Sequence, residues 1–245
     1  MDRPIERRSA ARTAVVWDAV RELLEAGDDQ VVLDIGGGTG GFAVRVASRG
    51  NRVTVIDPSP DALAALARRA DEEGVADRVT GLQGDLGNLG ELVPEQGVDL
   101  VLCHGVLGLV EDPPAALRAI AGVLRPGGAL SLLVSQRHAA VLARAMAGHF
   151  GQAKALLDGD QAVHSPDQRA VDHRFTAEEV LDLLGATGFN PTAIHGIRVF
   201  ADLVPSTLLD LEPGAAAALL DLERAVADRP EYLTLAGQLH VVATH

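Results

Sequence analysis

Three carboxylates and a cluster of glycines occupy the places where this chain could do chemistry. Residues 31 to 43 read VVLDIGGGTGGFA: an apolar run interrupted by Asp34, then glycines at 36, 37, 38, 40 and 41 ahead of a helix-like segment. Asp57 closes a second apolar run, and Asp85 lies in Gly84-Asp85-Leu86 after a third. Five glycines in six positions let backbone N–H groups approach a ligand closely, and a carboxylate after the second strand can accept both hydroxyls of a ribose. A carboxylate at Asp85 would sit where an adenine amino group could be held. The pattern therefore asks for an adenosine-bearing ligand.

The glycines fit two such ligands. Gly36, Gly38 and Gly41 satisfy the dinucleotide fingerprint G-x-G-x-x-G, while Gly36, Gly38 and Gly40 satisfy the G-x-G-x-G of S-adenosylmethionine enzymes. Asp34, Asp57 and the Gly84-Asp85-Leu86 turn, taken together and in this order, favour S-adenosylmethionine, and Asp34 is the first of them. A carboxylate two residues before the loop would repel a pyrophosphate, but suits the ammonium and sulfonium of S-adenosylmethionine. A nicotinamide oxidoreductase would also need an acid pair such as tyrosine and lysine, and the single tyrosine, Tyr232, is far in sequence from the single lysine, Lys154. Each carboxylate has a plainer alternative: Asp34 as a turn cap, Asp57 as an Asx turn before Pro58, Asp85 as a loop residue.

The elements that must position these residues follow from hydrophobic periodicity. Residues 12 to 26 predict an amphipathic helix. Strands are expected at 31–34, 52–56, 78–83, 98–103 and 129–134, with helices between them at 41–49, from Ser59-Pro60 to about Glu73, and from Asp112-Pro113 to the stop signal Arg125-Pro126-Gly127-Gly128. Strand and helix in alternation predict an α/β fold with a parallel sheet and a ligand edge at the strand carboxyl ends. Beyond residue 135 the rhythm breaks. A short helix at about 139–149, a polar segment DGDQAVHSPDQRAVDHR, a capping box at Thr176 and Glu179, a helix at 214–227 and strands at 191–201 and 238–244 complete the chain. We expect one domain over 1–245 with a lid-like insertion at 136–174.

Composition bounds the rest. The 245 residues carry a net charge of −13 and 47% hydrophobic residues, which fits a globular core and argues against a broad phosphate-binding surface. A single cysteine, Cys103, allows no disulfide framework, and the histidines show no metal-ligand spacing, so no metal is expected. Neither a secretory signal nor a membrane span is legible, which points to the cytoplasm.

The segments DIGGGTG, VIDPS, GDL, VDLVLCHGVL and VLRPGGAL, in this order, resemble class I S-adenosylmethionine-dependent methyltransferases over roughly residues 30–135. That resemblance implies a Rossmann-like seven-stranded sheet, mostly parallel with an antiparallel last strand and helices on both faces. RTAVVW, CHGVLGLVEDP, MAGHF, SPD, GIRVF and YLTLAGQLHV extend the likeness, nearly end to end, to the bacterial tRNA 5-carboxymethoxyuridine methyltransferases, which esterify a modified wobble uridine. By that resemblance Arg12 pairs with the cofactor carboxylate, Gly36 and Gly37 line its methionine part, Asp57 takes the ribose and His104 lies beside the sulfonium. Asp34, Gly38, Gly40, Asp85 and Leu86 complete the expected cofactor site.

His104, at the end of the fourth strand, is also the best-placed candidate base, with cofactor packing the alternative; a carboxylate nucleophile would need no base. Arg137, His138 and Arg198 are candidate binders of an anionic substrate. The acceptor stays open between tRNA and a small anionic molecule. Residues 133–157 hold Arg137, Arg144 and Lys154 with no acid, yet DGDQAVH stands where the resembling enzymes carry a lysine-rich run. A non-catalytic S-adenosylmethionine-binding protein is the remaining alternative, and oligomeric state is not legible.

Overall fold

Near-continuous apolar strands are expected to be covered on both faces, and the sheet of this chain is. The computed structural model describes residues 4–25, 27, 29–158, 173–205, 208–209 and 214–245, with only the backbone of 4–12. Its elements are α1 (Pro4–Leu24), β1 (Val31–Ile35), α2 (Ala43–Ala47), β2 (Arg52–Asp57), α3 (Pro60–Glu72), β3 (Val79–Gln83), α4 (Leu89–Leu92), β4 (Val98–His104), α5 (Pro113–Val123), β5 (Leu124–Ser135), α6 (Arg137–Met146), α7 (Phe150–Leu157), α8 (Ala177–Ala186), β6 (Asn190–Ile197), α9 (Ala215–Val226), α10 (Pro230–Leu233) and β7 (Gln238–Thr244). One seven-stranded sheet runs β3-β2-β1-β4-β5-β7-β6. β7 is antiparallel to both β5 and β6, and the other pairings are parallel. This is the Rossmann-like fold the sequence predicts.

Strand alternation splits the core in two. On one face Leu33, Ile35, Val101 and Cys103 pack with Leu117 and Ile120 of α5 and Val180 and Leu184 of α8. On the other, Val32, Val53, Leu100 and Leu102 pack with Val16 and Val20 of α1, Val44 of α2 and Leu66 of α3. The reversal of strand order between β1 and β4 opens the crevice at the carboxyl edge where ligands of such sheets bind.

Helix starts follow the side-chain caps. Ser59 accepts from the Ala62 N–H ahead of α3, Asp112 from the Ala115 N–H ahead of α5, and Thr176 and Glu179 form the reciprocal capping box of α8. The structure departs from the sequence expectation where backbone pairing overrides a local signal. α5 does stop before Arg-Pro-Gly-Gly, but β5 already begins at Leu124. Leu124 pairs with Val98 and Ala129 with Leu100, so the intervening residues bulge, with Gly127 at φ +77. The short helix expected at about 139–149 is α6, which ends at Met146, and after the turn at Gly148 (φ +78) a further helix, α7, follows that is absent from the sequence expectation. α1 starts at Pro4, well before the expected residue 12. Residues 159–172, including the SPD tripeptide, lie outside the described residues. Among the described residues no helix is long and apolar enough to cross a membrane.

β6 ends at Ile197, short of the expected Ala201, because a buried carboxylate takes the backbone over. Glu223 of α9 is 1% exposed and accepts the N–H groups of Val199 (2.9 Å), Phe200 (2.9 Å) and Ala201 (2.7 Å). Charge-assisted hydrogen bonds of this kind are the strong ones. We expect Glu223→Ala to lower stability by about 3 kcal/mol, because a single bond to a charged group contributes roughly 1.5–3 kcal/mol and neighbouring bonds do not add in full. In a chain of this length that is a fall in Tm of about 6–12 °C. Glu223→Gln, which keeps one acceptor oxygen, should lose about half as much. Thermal unfolding followed by circular dichroism checks both; an unchanged Tm for the alanine variant would contradict the anchor.

Candidate cofactor and substrate site

The glycine turn is built by close approach. Gly36 adopts φ +68 directly after β1, and its N–H donates to the Ile56 carbonyl at 2.7 Å. A β-carbon at Gly36 would collide with the Val106 side chain, one at Gly37 would lie 2.5 Å from Asp34 Oδ2, and one at Gly40 (φ +81) would collide with Leu66 of α3. Gly38, at φ +56, donates its N–H to Asp57 Oδ2 at 3.0 Å. A β-carbon at Gly41, by contrast, would meet nothing within 4 Å. The confined glycine is thus Gly40, at positive φ and against Leu66 of α3, and not Gly41; this fits the spacing G-x-G-x-G.

Under this turn lies Asp34, 3% exposed, with Oδ2 inaccessible to solvent and without a hydrogen-bond partner. Burial, and secondarily the charge of Asp57, push its carboxyl up to about 7. A buried carboxyl oxygen with no donor is the feature a cationic ligand group would satisfy. Asp57 is held at both oxygens, Oδ2 by Gly38 N–H and Oδ1 by Ser59 N–H at 2.9 Å. The Asx turn before Pro58 therefore exists, and the same carboxylate also ties β2 to the glycine turn. Asp85 is exposed and caps a short turn, accepting Gly87 N–H at 2.7 Å, while Leu86 beside it is buried in the core.

His104 ends β4. Its Nε2 lies 2.9 Å from Ser131 Oγ, and its ring stands T-shaped to Phe42, centroids 4.8 Å apart. Part of the residue's surface is open, but Nδ1 is enclosed and unpartnered. Burial lowers the imidazole to about 4, so it is neutral at neutral pH. Cys103 points to the opposite face, buried, with its thiol pushed up to about 12 by burial, and acts as a small hydrophobe. The Arg12 side chain lies outside the described residues.

The candidate anion binders are spread along the other half of the carboxyl edge. Arg137 donates to Glu179 (2.7 Å) and to the Arg174 carbonyl (3.1 Å), which fixes α6 to the capping box of α8. His138 is exposed in the first turn of α6. Arg198, at φ +61, pairs with Asp202 at 2.5 Å and lines a cavity of about 260 Å³ together with Ser135, Gln136, Arg174 and Gln238. In the basic segment Lys154 pairs with Asp158. Three further polar residues gave no signal in the sequence. Gln136 is 1% exposed, caps α6 through Ala139 N–H and donates to the carbonyls of Leu233 and Thr234. Ser131 and His240 are the other two. A glutamine before a helix and one serine in an apolar strand carry no local signal, since their partners are distant in sequence.

Residues 32–128 match the family described as a methyltransferase domain. The tRNA 5-carboxymethoxyuridine methyltransferase of Escherichia coli (strain K12) is 32% identical over 235 residues, covering 95% of this chain and 87% of that protein. An S-adenosylmethionine-dependent methyltransferase from Mesorhizobium loti superposes with a TM-score of 0.63 at 21% identity, covering 94% of this chain and 97% of that one. The 1,6-didemethyltoxoflavin-N1-methyltransferase of Burkholderia thailandensis, with bound S-adenosylhomocysteine, gives 0.55 at 20% identity, covering 100% and 91%. The two structures share the fold.

Two predictions come from Asp34. At pH 6 the carboxyl, raised to about 7, is mostly protonated in the free protein. A cation bound beside it favours the charged form, so binding S-adenosylmethionine should release a proton at pH 6 and none above about pH 8. Calorimetry in buffers of different ionisation enthalpy measures this, and Asp34→Asn should abolish it. Gly37→Ala should weaken binding at least roughly tenfold, because its methyl must displace the Asp34 carboxylate or Val55, with helical content unchanged; binding as tight as wild type would contradict the cradle.

Proposed function

This chain belongs to the S-adenosylmethionine-dependent methyltransferase family, and we propose that its methyl acceptor is the carboxylate of 5-carboxymethoxyuridine in tRNA. The observation that carries the acceptor is the near end-to-end similarity, 32% identity over 95% of the chain, to the Escherichia coli protein of that activity. The site supports it chemically. His104, lowered to about 4 by burial, is a poor general base at neutral pH, which suits a nucleophile that arrives already ionised. A tRNA acceptor would place the activity in the cytoplasm.

S-adenosylmethionine, when bound, supplies the methyl group as an electrophile on a sulfonium. We assign Asp34 to its ammonium, Arg12 to its carboxylate, Gly36, Gly37, Gly38 and Gly40 to the backbone cradle, Asp57 to the ribose hydroxyls, Asp85 and Leu86 to the adenine, and His104 to the sulfonium side. Asp34 and Asp57 give the site negative charge for a cationic ligand, and a neutral His104 avoids repelling it. Residues 136–174 are assigned as a lid over the acceptor, where His138 and Arg198 would meet its anionic groups and Arg137 holds α6 in place through Glu179. Excluding water and aligning nucleophile with methyl is then most of the catalysis.

A second reading is a small anionic acceptor. It is favoured by Asp158 and Asp160, which stand where the resemblance implies a lysine-rich run, and by the size of the Arg198 cavity, about 260 Å³. The test is transfer from methyl-labelled S-adenosylmethionine to bulk tRNA containing carboxymethoxyuridine, followed by nuclease digestion. We expect label in that nucleoside as an alkali-labile ester. Tight S-adenosylmethionine binding with no labelled tRNA would overturn the tRNA acceptor and favour the small molecule.

A further inference from the structure

Hydrogen-bonding side chains on β4, β5, β7 and β6 form an unbroken line across one face of the sheet. His104 Nε2 lies 2.9 Å from Ser131 Oγ, and the same Oγ lies 2.8 Å from His240 Nε2. His240 Nδ1 is 3.2 Å from His195 Nδ1, and His195 Nε2 is 3.4 Å from Asp228 Oδ1, just beyond α9. The strand register makes this row: Leu133 is opposite both His104 and His240, and His240 is opposite His195. Ser131, two residues from Leu133, shares its face. Ser131 and His240 are fully buried, whereas the Asp228 side chain is 78% exposed, so the line joins the interior to the surface.

The line has a direction. An ionised carboxylate only accepts, so the His195 nitrogen facing Asp228, Nε2, is the one that carries the proton, and the tautomer with Nε2–H keeps Nδ1 bare. His240 must then donate from Nδ1 and accept at Nε2. Ser131 donates to that Nε2, and its oxygen accepts the Nε2–H of His104. Every bond points toward Asp228. The reverse polarity would set a bare His195 nitrogen against a carboxylate, lone pair facing negative charge. Burial and the two neighbouring imidazoles lower His240 well below the usual histidine range, which keeps the middle of the line uncharged.

We propose that Asp228, His195, His240 and Ser131 are positioning residues that lock His104 in its Nε2–H tautomer, so that bare Nδ1 serves the cofactor site as a hydrogen-bond acceptor. The two ring nitrogens point to different sides of an imidazole; with Nε2 turned to Ser131 of β5, Nδ1 is turned away from β5. Phe42, just past the glycine turn, packs against the same ring. A lone pair there attracts an N–H donor or a cationic centre of the cofactor, where an N–H would repel it. A carboxylate acceptor delivers no proton, so the line has polarity to fix and no proton to carry. The proposal rests on the assignment of His104 to the cofactor site.

The test uses the full chain labelled with 15N-histidine, with resonances assigned by single histidine substitutions. Long-range 1H–15N spectra at neutral pH should show His104 and His195 protonated at Nε2 and His240 at Nδ1. Asp228→Ala, at an exposed position that does not endanger folding, should mix the tautomers of His240 and His104. It should weaken S-adenosylmethionine binding in calorimetry by roughly three- to tenfold, the size of one lost hydrogen bond. Asp228→Asn keeps an acceptor oxygen and should restore both. A His104 protonated at Nδ1, or spectra unchanged by Asp228→Ala, would overturn the lock. If the tautomers are as expected but His104 resonances do not move when S-adenosylmethionine is added, the link to the cofactor site is overturned instead, while methyl transfer to tRNA tests the acceptor separately.

Discussion

A carboxylate is buried where the backbone turns most tightly. Asp34 sits beneath Gly37 with one oxygen unpartnered, and Gly38 N–H is drawn to Asp57, not to it. A charge so placed costs stability unless it is protonated or paired, and burial with the charge of Asp57 raises it to about 7. Substituting any of Gly36, Gly37 or Gly40 crowds a neighbour, so the geometry of the turn and the position of that carboxylate are one constraint. A buried, unpartnered carboxyl beside Asp57 suits a positively charged group, and a neutral His104 across β4 is compatible with one.

The strand β7, antiparallel to both neighbours, adds to this organisation through its register. Inserted between β5 and β6, it sets Leu239, Val241 and Ala243 into one core and brings His240 to the other face, beside Ser131 and His195. A polar line inside an apolar sheet is tolerated when its members satisfy each other. Here it ends at an exposed carboxylate, which provides the acceptor that closes the row. Glu223 does a parallel job on the next turn, replacing strand pairing with three N–H bonds just after β6. Two acids near α9 thus fix, respectively, the line to His104 and the loop that carries Arg198.

The same region shows why basic residues are poor guides to an anion site. Arg137 and Lys154 both lie in an acid-free stretch of sequence, yet each meets a carboxylate: Glu179 from the capping box of α8, and Asp158 one helical turn on. Arg198 meets Asp202 in the same way. Charge within a segment says little about the charge left after folding, because the partner can lie just past the segment, as Asp158 does for Lys154 and Asp202 for Arg198, or across the fold, as Glu179 does for Arg137.

Much of the fold was legible because its causes are local. Apolar runs of the right length, Ser59-Pro60, Asp112-Pro113 and the Thr176–Glu179 box fix strands and helix starts within a few residues of one another. The glycine cluster with Asp34 and Asp57 announced an adenosine-bearing ligand for the same reason. The bulge at Arg125–Gly128, the early end of β6 and the turn between α6 and α7 depend on register with β4, on Glu223 and on a left-handed Gly148, none of which periodicity records. By itself, then, the sequence determined the α/β alternation and the glycine–aspartate signature, whose spacings are short along the chain. Only the tertiary structure decided that Gly40 and not Gly41 is the confined glycine, and that Ser131, His195, His240 and Asp228 stand in line behind His104. Those contacts join residues far apart in sequence, and the strand order alone makes them neighbours.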